Sequence, residues 1–367
     1  MSLSQAAPAP GPQRLRFEHR GRVRALTPIV LINTLLNIIT LTLYRFWAKT
    51  RVRRFLWSRT TLLGDPFEYT GSGKELFLGF LIVLFVVVLP AIGLNVAAEY
   101  FWAEEDPVRY GTFMFIFYMV ALFLLGVAIY RARRFRLSRT AWRGIRPALT
   151  GSSVIYGLIN MAIYLANGAT FGWAVPWGRL RLMEQMMSHT YFGDRPFHFR
   201  GGAQPLYGRF AAMWFGSAAI IAAIIVVSIA VAGAGQVLTG EGNKLTARIG
   251  VGVVAVVGVG LVLMAALYAW YKARELAYFA ECTGYQGLRF RFDATAWSLL
   301  RLALGNYLII ILTLSFGYPF AQLRNFRYLC RRLEAVGEVD FAAIRQSAEA
   351  RPAVGEGLAD AFDVGSV

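Results

Sequence analysis

The sequence predicts an all-α polytopic membrane protein with tandem internal repeats and short cytoplasmic β-strand elements, and three observations carry that expectation. Hydrophobic residues make up 57% of the 367 residues while charged residues make up 16%. Several apolar runs reach the roughly 20 residues that cross a bilayer. Cations gather at the ends of those runs, where they meet anionic headgroups, so the formal net charge of +17 argues for a lipid surface and against nucleic acid. Cys282 and Cys330 form neither a disulfide framework nor a metal-binding spacing, and no cofactor is expected.

Residues 1–14 are Ala/Pro-rich without the apolar core of a cleaved signal peptide, and residues 345–367 lack apolar periodicity, so both read as disordered tails. Leu15 to Gly21 alternates enough for a short strand, and Thr27-Pro28 reads as a helix start. The first apolar run extends from Leu26 to Leu43. A basic stretch follows in which Ala48, Val52 and Phe55 share one helical face opposite Lys49 and Arg53, the pattern of a helix lying in the headgroup layer. Gly64-Asp65 turns the chain into a second strand at Phe67 to Gly71. Further apolar runs cover Leu76 to Trp102, Gly111 to Tyr130, Val154 to Val175, Leu206 to Val237, Ile249 to Tyr271 and Trp297 to Phe316.

A recurring element places two residues, usually apolar, two positions apart, then a small residue, then a large apolar residue five positions on. It fits Phe17, His19, Gly21, Leu26; Phe67, Tyr69, Gly71, Leu76; Pro147, Leu149, Gly151, Tyr156; Phe197, Phe199, Gly201, Leu206; and Phe290, Phe292, Ala294, Leu299. A second element aligns Trp47 and Arg51 with Trp177 and Arg181 and with Phe320 and Arg324. In that register Asn37 meets Asn167, and Asn33 meets Asn306. The repeat units are then 15–130, 131–272 and a truncated 273–344.

Seven plain transmembrane helices would scatter the cations on both sides of the bilayer, against the positive-inside rule. If the first, fourth and seventh runs instead enter and leave on one side, nearly every cation faces the cytoplasm. The expectation is therefore four spanning helices plus three re-entrant or interfacial segments, with seven plain spans as the alternative.

Chemistry-bearing motifs are weak. Gly71-Ser72-Gly73-Lys74-Glu75 lacks the Ser or Thr that holds Mg²⁺ in a phosphate loop and reads as a turn and helix start. His19, His189 and His198 share no ligand spacing. Two groups of residues remain as candidates. Asn33, Asn37, Asn167 and Asn306 place amides at membrane depth, where each must find a partner, as packing contacts or as the lining of a pathway. Arg51, Arg181 and Arg324 recur beside Trp47, Trp177 and Phe320, as topogenic cations or as a shelf for anionic lipid.

The stretch VLINTLLNIITLTLYRFWAKTRVRRFLWSRT from Val30, followed by GDPFEYTGSGKELF from Gly64, resembles the signature of the YjgN-like bacterial inner-membrane family over most of the chain. This sequence carries Leu43-Tyr44-Arg45-Phe46-Trp47 where relatives often have Gly and Pro. The resemblance implies a bacterial inner-membrane location and supplies no substrate or catalytic residue. The leading expectation is a non-enzymatic multi-pass membrane protein that binds or transports a small solute or lipid. The alternative is a scaffold whose basic cytoplasmic face binds anionic lipid or a protein partner.

Overall fold

The computed structural model describes residues 13–237 and 244–346. The two tails, apart from their innermost residues, and the polar link through Gly240 to Asn243 lie outside that range. The chain orders as β1 (Gln13–His19), α1 (Val23–Ile39), α2 (Arg45–Ser58), β2 (Thr60–Leu62), β3 (Asp65–Tyr69), α3 (Gly73–Val83), α4 (Leu89–Trp102), α5 (Pro107–Ser138), β4 (Thr140–Trp142) and β5 (Pro147–Leu149). It continues through α6 (Ser153–Ala169), α7 (Val175–Ser188), β6 (Thr190–Phe192), β7 (Arg195–Phe199), α8 (Gln204–Val237), α9 (Lys244–Cys282), β8 (Thr283–Tyr285), β9 (Leu288–Phe292), α10 (Ala296–Leu312), α11 (Tyr318–Arg332) and β10 (Leu333–Gly337).

The strands overturn the all-α expectation. All ten join one antiparallel sheet in the order β4-β3-β2-β1-β10-β9-β8-β7-β6-β5. A single bridge between Trp142 and Ile145 links the two outer strands, so the sheet curls into a nearly closed barrel. Most strands span three to five residues, too short to show alternation against helical surroundings. Closure removes the exposed edges that such short strands would otherwise present.

Register explains the five-fold motif. Phe17 lies opposite Leu62, Phe67 opposite Trp142, Pro147 opposite Phe192, Phe197 opposite Tyr285, and Phe290 opposite Ala335. One step toward the helices, His19 faces Thr60, Tyr69 faces Thr140, Leu149 faces Thr190, and Phe199 faces Thr283. Each of these threonines donates its hydroxyl to a carbonyl four residues back, at Leu56, Arg136, Met186 and Phe279. That bond ties the last helical turn to the first strand residue and satisfies a terminal carbonyl. The small residue is required by close approach. A Cβ on Gly21 would sit 2.4 Å from the His19 ring, and one on Gly201 2.5 Å from the Cys282 sulfur.

Every strand that leaves the sheet through a helix is paired with the strand that the returning helix reaches. Two excursions are long. α3 and α4, joined by a π-turn at Leu84–Val88 ahead of Pro90, return through α5, and α8 returns through α9. Among the described residues four helices are long and apolar enough to cross a membrane: Gly73–Trp102, Pro107–Ser138, Gln204–Ala230 and Gly252–Cys282. The other three excursions are helical hairpins whose first helices, α1, α6 and α10, have 17 residues each. Their tips use two successive left-handed residues, Leu41-Thr42, Phe171-Gly172 and Leu314-Ser315. At each tip a threonine hydroxyl bonds back to the helix behind it and accepts the amide of the helix ahead, as Thr40 does with Leu36 and Tyr44.

Two local expectations also change. The first helix begins at Val23, a turn before Thr27-Pro28, and Thr27 bonds its hydroxyl to the Val23 carbonyl from inside the helix. Arg53 does not lie on a headgroup face. It is 6% exposed and donates to the Tyr69 hydroxyl at 3.1 Å, because α2 packs against β3. Gly73 begins a helix as expected, with Ser72 and Glu75 forming a reciprocal capping box.

Candidate functional site

Alternation along the strands sends the rings of the cross-strand pairs inward and the arginines outward. Leu15, Phe17, Phe290 and Leu288 point in, while Arg14, Arg16, Arg289 and Arg291 are exposed. The rings do not fill the interior. They enclose an apolar cavity of about 220 Å³ whose wall includes Phe17, Phe67, Trp142, Phe192, Phe197 and Phe290. At the turn end the short helix Phe341–Ala343 closes the barrel. Phe341 packs edge-on against Trp142 at 5.2 Å, Ile344 is buried, and the Arg345 amide donates to Asp194.

At the helix end the cavity adjoins a second one of about 540 Å³, and the two share Pro147, Phe192, Phe197 and Phe290 in their walls. The second cavity sits where α5, α7, α9 and α11 run into the sheet, and Leu137, Met183, Met187, Leu276, Phe279 and Leu329 line it. Arg133 is the one charged residue in that wall, with its guanidinium 3.9 Å from the Met187 sulfur. Methionines are deformable side chains and suit a wall that takes more than one shape. Chemically the two spaces offer contact to a hydrocarbon group and almost no hydrogen bonding.

Charges near the sheet are held in specific pairs. Glu275 on α9 is fully buried, and its carboxylate accepts from Arg179 at 2.8 and 3.0 Å, from Tyr271 at 3.3 Å and from Lys272. Arg139 binds Glu75 at 2.8 Å. Tyr285 donates to the Phe192 carbonyl at 3.0 Å, and burial, followed by the nearby Asp194, pushes its phenol up to about 12. The buried Cys330 thiol is pushed up to about 11 by desolvation, which leaves it protonated and unreactive.

Because the Thr60 hydroxyl donates to the Leu56 carbonyl, His19 Nδ1 donates to Thr60 Oγ1 at 2.8 Å, and its Nε2 is buried without a partner among the described residues. Burial, reinforced by Arg327, lowers its pKa to about 4. The unfolded chain therefore takes up a proton near pH 6.5 that the folded chain refuses until about pH 4. Stability is expected to be flat with respect to this group above pH 7 and to decline as pH falls through that window. Thermal midpoints of the protein and of His19→Gln between pH 4 and 8 check this: the variant's decline should be shallower, and parallel curves would reject it.

The sequence-level candidates fall at separate places. Asn33 donates to the Ala48 carbonyl at 3.5 Å, and Asn306 to Asn325 Oδ1 at 2.6 Å, each within its own helical hairpin. The Asn37 and Asn167 carbonyls receive the tip amides of Thr42 and Gly172. Among the described residues no hydrogen bond joins any two of these four asparagines, and the side-chain oxygen of each is buried without a partner. Trp47 is stacked on Tyr44 and lies beside Gly73, whose added Cβ would meet the indole at 2.7 Å. Arg51 sits over the Tyr44 ring at 5.4 Å, Arg181 pairs with Glu184 at 2.8 Å, and Arg324 lies against Gly305. Trp177 and Arg181 share the cleft between α6 and α7.

Sequence reasoning missed the first strand of each β-hairpin, and with it Trp142, Phe192 and Tyr285. The signal was present: a threonine directly after a basic helix, with an aromatic or leucine two residues on, at Thr60-Thr61-Leu62, Thr140-Ala141-Trp142, Thr190-Tyr191-Phe192 and Thr283-Gly284-Tyr285.

No solved structure matches the chain. The chain is similar to the inner membrane protein YjgN of Salmonella typhimurium, with 38% identity over 61 residues. That match spans 17% of this chain and 15% of the relative. The family described as "Bacterial protein of unknown function (DUF898)" matches residues 14–361. With four apolar helices long enough for a bilayer and a family match over nearly its whole length, this chain is a membrane protein that belongs to the DUF898 family of bacterial proteins.

Proposed function

We propose that the protein is a non-enzymatic, multi-pass inner-membrane protein that binds the apolar part of a lipid or other amphiphile in the cavity enclosed by the barrel. The observation that carries this reading is the pair of adjoining apolar cavities, whose shared wall at Pro147, Phe192, Phe197 and Phe290 makes one continuous hydrocarbon-like lining. Packed interiors normally leave few voids larger than a water molecule. An unfilled aromatic-walled space of this size suits an apolar guest, since burial contributes roughly 25 cal/mol per Å² of apolar surface removed from water. The three helical hairpins support entry from one leaflet, because their tips expose Leu41 at 85% and Phe171 at 84% while both their ends attach to the sheet. The basic loops at those ends are placed on the cytoplasmic side by the positive-inside rule. The recurrence of the strand motif supports an origin from repeated units, and transfer of the guest between leaflets is the transport form of the same proposal.

Ala335 is 2% exposed and lines the barrel cavity, so Ala335→Phe fills it. Native mass spectrometry of the purified protein should reveal a retained apolar or amphiphilic adduct that this variant loses while keeping its thermal midpoint within a few degrees. A protein free of adducts that also fails to take up a long-chain fatty acid would refute the reading.

A further inference from the structure

We propose that the cleft between α10 and α11 is a binding site for a phosphomonoester-type dianion, carried on a lipid headgroup or free as phosphate. The cleft has a volume of about 390 Å³ and is lined by Arg301, Arg324, Arg327, Arg331 and Arg332, with Asp293 as its one carboxylate. It shares no lining residue with the apolar cavities, so this site does not rest on the lipid-tail reading.

Five guanidiniums crowd this cleft, and among the described residues no carboxylate is paired to any of them. Arg327 donates Nε and Nη2 to the Gly21 carbonyl at 3.2 and 2.6 Å. Arg332 donates to the Asp293 carbonyl at 2.5 Å, and Arg324 to the Arg301 carbonyl at 3.5 Å. These acceptors are neutral backbone oxygens. They fix the side chains in place without cancelling charge, and among the described residues the Asp293 carboxylate forms no ion pair. The repulsion registers on Arg327, whose pKa is lowered first by burial and then by Arg331. Ser298 donates its hydroxyl to the Thr295 carbonyl and accepts from Tyr328 at 2.8 Å, so this polar pair completes the wall and leaves the guanidiniums as its donors. Guanidinium forks match phosphate oxygens in pairs, and a preformed cluster loses little freedom on binding.

The equivalent hairpins supply an internal contrast. The cleft between α6 and α7 is also open, at about 490 Å³, but its Arg181 is neutralised by Glu184. In the alignment that matches Arg181 with Arg324, the positions of Arg327, Tyr328 and Arg331 carry Glu184, Gln185 and Ser188. A need for topogenic cations alone would act alike on these two hairpins. What sets α10–α11 apart from α6–α7 is that its arginines line one cleft and Glu184 has no counterpart there.

The test uses full-length protein in phosphatidylcholine nanodiscs, titrated calorimetrically with monomeric dihexanoyl phosphatidate, inorganic phosphate and dihexanoyl phosphatidylcholine. Arg301 and Arg331 are exposed and among the described residues make no side-chain hydrogen bond, so the pair Arg301→Gln with Arg331→Gln should keep the fold and weaken anion binding about ten-fold or more. Gly305→Ala is a second variant: its Cβ would meet the Arg324 guanidinium at 2.2 Å and displace it from the cleft. Arg51→Gln with Arg181→Gln is the control. Binding of phosphatidate and phosphate alike, lost in the cleft variants, supports the site with a free anion as its ligand; binding of phosphatidate alone supports it with a lipid headgroup. Binding to neither, or equal weakening in the control pair, would overturn it.

Discussion

Alanine at Trp142 is expected to cost about 3–5 kcal/mol of folding stability, the range for removing a large buried aromatic. Its indole is 2% exposed and lies on the strand where the sheet barely closes, so it serves as both wall and seam. Phe67 stacks on it at 6.3 Å, Phe192 lies tilted against it at 5.9 Å and Phe341 meets it edge-on at 5.2 Å. Its ring nitrogen donates to the Asp65 carbonyl at 3.2 Å, and the Arg143 guanidinium sits 4.7 Å above the ring. Truncation would enlarge a cavity that already exists and leave the Asp65 carbonyl without its indole donor. The comparison is Trp177→Ala at 42% exposure, which should change stability by about 1 kcal/mol or less. Equal shifts of the unfolding midpoint for the two variants would contradict the barrel as the core of the fold.

Glu275→Gln is the second large effect, with an expected loss of about 3 kcal/mol, the low end for breaking a buried ion pair. The carboxylate is fully buried between α9 and α7, whereas Arg179 keeps 41% of its side chain exposed and Lys272 27%. Both cations can regain some solvent when the acid is neutralised, which is why the low end applies. The amide keeps one acceptor oxygen where the carboxylate had two and carries no negative charge, and its NH2 brings a donor of its own toward Arg179 and Lys272. The double variant Glu275→Leu with Arg179→Met removes both sides of the pair and should recover part of the loss. If the double variant is less stable than Glu275→Gln, the pair is not the cause.

Both predictions concern residues whose importance lies in what faces them, and that divides what could be read from the chain alone. The four long helices were legible because a bilayer demands a run of apolar residues whatever their neighbours. The five-position motif was legible for a similar reason: Phe17, Phe67, Pro147, Phe197 and Phe290 stand at a fixed distance from a small residue and a helix start, which is a local spacing. Its meaning was not local. Reading those positions as short strands beside an all-α bundle overlooked that their partners are three-residue strands such as Thr60–Leu62, which carry no periodicity of their own.

The arginines show the same division. In sequence Arg301, Arg324, Arg327, Arg331 and Arg332 are ordinary flanking cations, and Arg53 belongs to a polar helical face. Only the packing of α11 on α10 gathers the first five around one cleft, and only the packing of α2 on β3 buries Arg53 against Tyr69. Hydropathy is a property of each residue and survives without a fold, so the sequence by itself determined the membrane class and the family. Pairing, closure and charge gathering depend on residues far apart in the chain, such as Trp142 with Phe341 or Arg327 with Gly21. Those were decided by the tertiary structure, because hydrogen bonds and Coulomb forces act across space and not along the chain.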